Sequence, residues 1–79
     1  MATMGERLRW ARERRVLTQA DLATKAKVTV GAISRIENDR LDGPPRQSTV
    51  RRLARALRVD PAWLLFGELA GESPTAPVP

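Results

Sequence analysis

The side chains of this sequence best equipped for chemistry are its arginines. Twelve of the 14 basic residues are arginine, whereas cysteine and histidine are both absent. Without cysteine there are no disulfides, no thiolate catalysis and no cysteine-based zinc site. Without histidine the commonest acid–base group and metal ligand is missing. Ser34 and Ser48 are the candidate nucleophiles, and neither has a visible base beside it. An enzyme is therefore not expected, and nothing calls for a cofactor. What guanidinium groups do well is bind, because their planar fork matches a phosphate or the edge of guanine. Heavy arginine use can equally reflect genome composition, so placement matters more than number.

That placement is uneven. The formal net charge is +5 over 79 residues, but all 14 basic side chains precede Gly67 and meet only seven acids there, whereas Glu68 and Glu72 follow it. An isoelectric point near 11.3 on so small a chain suits nucleic-acid binding, a property shared by basic domains that bind anionic membranes. No apolar run approaches the roughly 20 residues that span a bilayer, and the N-terminus lacks the apolar core of a signal peptide. A cytoplasmic location with no membrane partner is the expectation.

The stretch LTQADLATKAKVTVGAISRIEN, Leu17 to Asn38, supplies the element that could aim a binding surface. Thr18 followed by Asp21 is a capping signal and starts a helix near Gln19. Leu22, Ala23 and Ala26 share one face of it, and Lys27 to Thr29 interrupt the pattern. Thr29 can cap the next helix, which turns Ile33 and Ile36 inward and runs to about Asn38. Two short helices joined by so tight a turn, with small Ala23 near the crossing, suit a helix-turn-helix whose second helix (30–38) enters the major groove.

The rest of the chain divides readily. Met1 to Thr3 is expected to fray, and Met4 to Arg15 forms a first helix with Met4, Leu8, Ala11 and Arg15 along one stripe. Trp10 lies off that stripe, either over the arginine stems of its own helix or at a partner. DRLDGPPR, Asp39 to Arg46, is a proline-stiffened loop whose Arg40 and Arg46 can face a phosphate backbone. A fourth helix from Gln47 or Ser48 buries Val50, Leu53, Ala54 and Leu57. Its Arg51, Arg52, Arg55 and Arg58 form either a solvated face or a partner surface. Asp60 and Pro61 open a short, almost wholly apolar fifth helix, with Trp63 as the lid of the core. The expected organisation is one all-α, five-helix domain over residues 1–66 and a flexible Gly/Pro-rich tail over 67–79.

RLRWARERRVLTQADLA, VTVGAISRIEN and LARALRVDPAWLLFGE, in this order and spacing, resemble the lambda-repressor-like, Cro-type helix-turn-helix family, also called the xenobiotic-response-element family of regulators. The resemblance runs from about Gly5 to Gly67. It implies that Gln19, with Thr18 beside it, clamps a DNA phosphate. It also implies that Thr29, Val30, Gly31, Ser34 and Arg35 form the base-reading face, Arg35 first among them because its fork can reach guanine O6 and N7. Arg12 and Glu37 match an ion pair between the first and third helices. The sequence departs from the family pattern at Val16 and Lys27, where glycine is common, at Ala11, where a larger apolar residue is usual, and in the longer loop around Gly43, Pro44 and Pro45.

The resulting expectation is a sequence-specific, double-stranded-DNA-binding transcriptional regulator, of the repressor kind, acting as a homodimer on paired half-sites. Leu64, Phe66 and Trp10 are the candidate dimer contacts. The alternative is a protein-interaction module, such as an antitoxin docking a toxin or a larger partner.

Overall fold

In the computed structural model residues 3–67 are described, and they build five helices: α1 (Met4–Arg14), α2 (Gln19–Ala26), α3 (Val30–Glu37), α4 (Gln47–Leu57) and α5 (Pro61–Phe66). The described residues contain no strand, and no helix among them is long and apolar enough to cross a membrane. Met1, Ala2 and all of the expected tail beyond Gly67 lie outside the described residues.

Four of the five helices begin on a side chain that accepts an N–H left over in the first turn. Thr18 Oγ1 accepts from the Asp21 N–H at 3.0 Å, while Asp21 Oδ2 accepts from the Thr18 N–H at 3.0 Å. Thr29 does the same for Ala32 at 3.0 Å, and Asp60 Oδ1 takes the N–H groups of Ala62 and Trp63 at 2.6 and 3.3 Å. Thr3 was expected to fray and does not. Its hydroxyl and the Glu6 carboxylate close a reciprocal capping box at 3.1 and 2.9 Å, the T-x-x-E pattern written in residues 3–6. Only α4 starts uncapped, on Arg46.

α1 packs on α3 and α5, α2 on α3 and α4, and α4 on α5, so the α2–α3 pair is held from both sides. Leu8, Leu22, Ile33, Leu53, Leu57 and Leu64 are fully enclosed where these helices meet. Leu64 therefore cannot serve as the exposed dimer contact expected of it. A six-residue helix with no polar face gives no phase from which to read the inward residue, and α5 turns Leu64 in and Phe66 out. Half-buried Trp10 packs against Trp63 with ring centroids 5.8 Å apart and lies under the Arg14 guanidinium at 4.9 Å.

Two arginines of the α1 segment end other helices. Arg7 donates to the carbonyls of Leu64 and Leu65 at 3.0 and 2.9 Å, and Arg15 donates to that of Leu57 at 2.6 Å. Both place a cation on the negative end of a helix dipole and satisfy carbonyls that have no helical partner. Arg15 thus reaches the core's edge through its polar tip, and its side chain stays exposed.

Backbone geometry marks the breaks between helices. Val16, Lys27, Asp39 and Arg58 all adopt left-handed conformations, with φ of 55°, 59°, 54° and 58°. Val16 and Lys27, where the family pattern favours glycine, thus keep the left-handed turn and bear its steric strain. Gly5 serves a different need. A Cβ there would fall on the Ile36 carbonyl oxygen and 2.9 Å from that of Glu37, so α1 and α3 approach backbone to backbone.

Gly5→Ala must push α1 off α3 and should cost roughly 3 kcal/mol or more in urea unfolding, at the upper end of overpacking changes. Lys27→Gly should do the opposite, raising stability by about 1 kcal/mol through relief of left-handed strain. Equal unfolding midpoints for both variants and the parent would contradict this account of the turns and the α1–α3 contact.

Candidate nucleic-acid interface

α3 buries Ile33, Ile36 and Glu37 and turns its other side outward. Thr29, Val30, Gly31 and Arg35 are exposed and Ser34 is half-buried, so all five expected base-reading positions lie on or beside one outward face. Helical spacing stacks Val30 over Ser34 and Gly31 over Arg35. The Thr29 hydroxyl oxygen is occupied by capping, and Ser34 Oγ accepts from Asn38 Nδ2 at 3.2 Å. Each keeps its own hydroxyl hydrogen to donate. A Cβ on Gly31 would meet nothing closer than Thr29 Oγ1 at 3.9 Å, so a surface can approach the helix backbone closely there.

Beside this face runs an open groove of about 680 Å³ between α3 and the proline loop, with Arg35, Arg40, Leu41, Pro45, Arg46 and Thr49 among its walls. Arg40 and Arg46 are exposed, and their placement brings two expected phosphate-binding cations to the same groove as Arg35. Uncapped α4 starts at its rim.

The angle of α3 is fixed from behind by a single carboxylate. The Glu37 side chain has no exposed surface. Arg12 grips it with Nε on Oε2 at 2.7 Å and Nη2 on Oε1 at 3.0 Å, while the third arginine nitrogen holds the Leu17 carbonyl at 2.8 Å. Gln19 Nε2 donates to Oε1 at 3.0 Å, and Arg9 Nε donates to the same oxygen at 3.4 Å. Sequence spacing could not reveal the Gln19 and Arg9 contacts, because these residues precede Glu37 by 18 and 28 positions.

Gln19 therefore has a structural bond as well as its expected phosphate role. Its amide carries two N–H groups, of which Glu37 takes one. The Gln19 and Ala20 backbone N–H groups, in the first turn of α2, have no protein acceptor among the described residues. The Thr18 N–H is different, being held by Asp21.

Burial by itself would raise the Glu37 carboxyl, but hydrogen bonds from Arg12, Gln19 and Arg9 and the Arg12 charge hold it below its ordinary value of 4.5. Arg12 is raised in turn by its hydrogen bond to Glu37, against the opposing effect of burial. A carboxyl depressed in the folded state adds stability above its unfolded value, and that stability is lost as pH falls through the folded value. Unfolding free energy should therefore decline below about pH 4.5. Glu37→Gln should flatten this acid limb and, by leaving the Arg12 charge unpaired, cost about 3–5 kcal/mol at neutral pH. Denaturant melts across pH check both, and an unchanged acid limb in the variant would reject the role given to Glu37.

The Helix-turn-helix family matches residues 8–64 of this chain. The chain is 42% identical over 66 residues to the HTH-type transcriptional repressor RghR of Bacillus subtilis (strain 168), a match covering 84% of this chain and 48% of that protein. It is 36% identical over 76 residues to the HTH-type transcriptional regulator DicA of Escherichia coli (strain K12), covering 96% and 54% respectively. The chain thus spans about half the length of the curated relatives it matches. Among solved structures, the P22 c2 repressor in complex with synthetic operator 9T superposes with a TM-score of 0.78 at 32% identity, covering 86% of this chain and 100% of that one. The solution structure of the P22 c2 repressor DNA-binding domain gives 0.75 at 32% identity, covering 95% of each. With this sequence match and this five-helix architecture, the chain belongs to the lambda-repressor-like branch of the helix-turn-helix family.

Proposed function

We propose that this chain is the DNA-binding unit of a transcriptional repressor, which reads double-stranded DNA with the outward face of α3 in the major groove. The observation that carries the reading is the division of α3. Glu37 and Ile33 fix one side inside the domain, while Val30, Gly31 and Arg35 stand exposed on the other. Arg35 is the primary base-edge contact, suited to guanine O6 and N7. Thr29 and Val30 suit a thymine methyl, and Ser34 and the bare backbone at Gly31 complete the face. Gln19 with Thr18, and Arg40 with Arg46, hold phosphates on either side of it. The P22 c2 repressor in its complex with synthetic operator 9T has the same fold, which supports double-stranded DNA as the partner.

Two copies acting on related half-sites about 34 Å apart would match the symmetry such motifs use. Phe66, 65% exposed on α5, is the contact offered for that dimer, with Trp10 as a second. The same exposed Phe66 motivates the other reading, an antitoxin or similar module whose apolar end docks a protein.

Binding titrations against the chain's own upstream DNA and a scrambled duplex, at several salt concentrations, test the proposal. Arg35→Ala should lose about 1–3 kcal/mol on the specific site and little on the scrambled one. Arg40→Ala should weaken both alike. Equal affinity of the parent for both duplexes would reject sequence reading, and light scattering of a Phe66→Ser variant reports on the dimer.

A further inference from the structure

Arg12 and Arg9 both approach the buried carboxylate, but on unequal terms. Arg12 is nearly enclosed, and all three of its nitrogens are engaged, two by Glu37 and one by Leu17. Three of its five N–H groups are spent inside the domain, and little of its side chain faces solvent. Arg9 keeps half of its side chain in solvent and touches Glu37 only through Nε, at 3.4 Å. Its two terminal nitrogens have no partner among the described residues. Two guanidinium charges meet one carboxylate here, so one positive charge is left over, and it resides on the exposed group.

The position of that charge gives it a use. Glu37 Oε1 accepts from Gln19 Nε2 at 3.0 Å and from Arg9 Nε at 3.4 Å, so one oxygen draws the two side chains together. The single Nε hydrogen of Arg9 is spent there, and the donors left over are its two terminal nitrogens on the same rigid fork and the second N–H of the Gln19 amide, a set that suits the two free oxygens of one phosphate. Glu37 thereby holds an arginine of α1 alongside the glutamine of α2, next to the unpaired N–H groups of Gln19 and Ala20.

We propose that Arg9 is a further phosphate-binding residue, which joins Gln19 in holding one backbone phosphate, with Glu37 orienting both donors. This rests on the nucleic-acid reading above and adds α1 to the binding surface. The contact is independent of base sequence, since it touches only the backbone.

The test is the salt dependence of binding by the full chain to its upstream DNA and to a scrambled duplex, for the parent, Arg9→Gln and Arg9→Lys. Loss of one phosphate contact lowers the slope of log K against log[salt] by about 0.9. Arg9→Gln should show this reduction equally on both duplexes, with its acid unfolding limb made only slightly shallower by the loss of one weak contact to Glu37. Arg9→Lys, which keeps the charge, should retain the parent slope. A parent slope in Arg9→Gln would overturn the proposal, and if binding were weaker with that slope kept, Arg9 would act only through Glu37. Failure of the parent to bind any duplex at low salt would remove the nucleic-acid reading itself, and this inference with it.

Discussion

A carboxylate with no access to water is tolerable only if its charge and both oxygens are answered by neighbours. Glu37 meets that condition by drawing on α1 through Arg12 and Arg9 and on α2 through Gln19, while belonging to α3 itself. Helices packed only through Leu8, Leu22 and Ile33 could slide by fractions of a turn at small cost, since dispersion contacts have no direction. The forked grip of Arg12 has direction. Any rotation of α3 that separates it from Glu37 strands a buried charge, so the orientation of the outward face is tied to one polar cluster.

Arginine performs three distinct physical tasks in this domain. Arg12 neutralises a buried charge, Arg7 and Arg15 close the C-terminal ends of α5 and α4, and Arg35, Arg40 and Arg46 stand at the open groove. The basic composition is therefore partly structural. Several of its charges hold helices together in a chain too small to rely on core burial alone.

Local signals were legible in the sequence and tertiary ones were not. Thr18 with Asp21, Thr29, and Asp60 with Pro61 announce helix starts because capping is settled within three or four residues. Thr3 with Glu6 carried the same signature, obscured by its nearness to the terminus. The Arg12–Glu37 pair came from family resemblance rather than spacing, and the Gln19 and Arg9 contacts that complete it required the folded arrangement. Nothing in the sequence distinguishes Arg7 from the solvated arginines of α4, and the stripe that includes Arg15 does not tell what its tip holds, because the helix ends that they cap are created only by packing. Gly5 was likewise silent, since its lack of a side chain matters only against the carbonyls of Ile36 and Glu37. Of the four left-handed breaks, Val16 and Lys27 are marked only by the glycines of the family pattern and Asp39 and Arg58 by nothing, because none of the four is itself a glycine.

The division of α3 into an anchored and an unanchored side also bears on how such a chain can change over generations. Val30, Gly31 and Arg35 stand clear of the core, and substitutions there leave the packing of Ile33, Ile36 and the Glu37 cluster intact. These positions can drift together as an exchangeable cassette. Gly5, Arg12 and Glu37 cannot, because each is answered by a partner on another helix. Duplicated copies would diverge first on this outward face and last in how they fold.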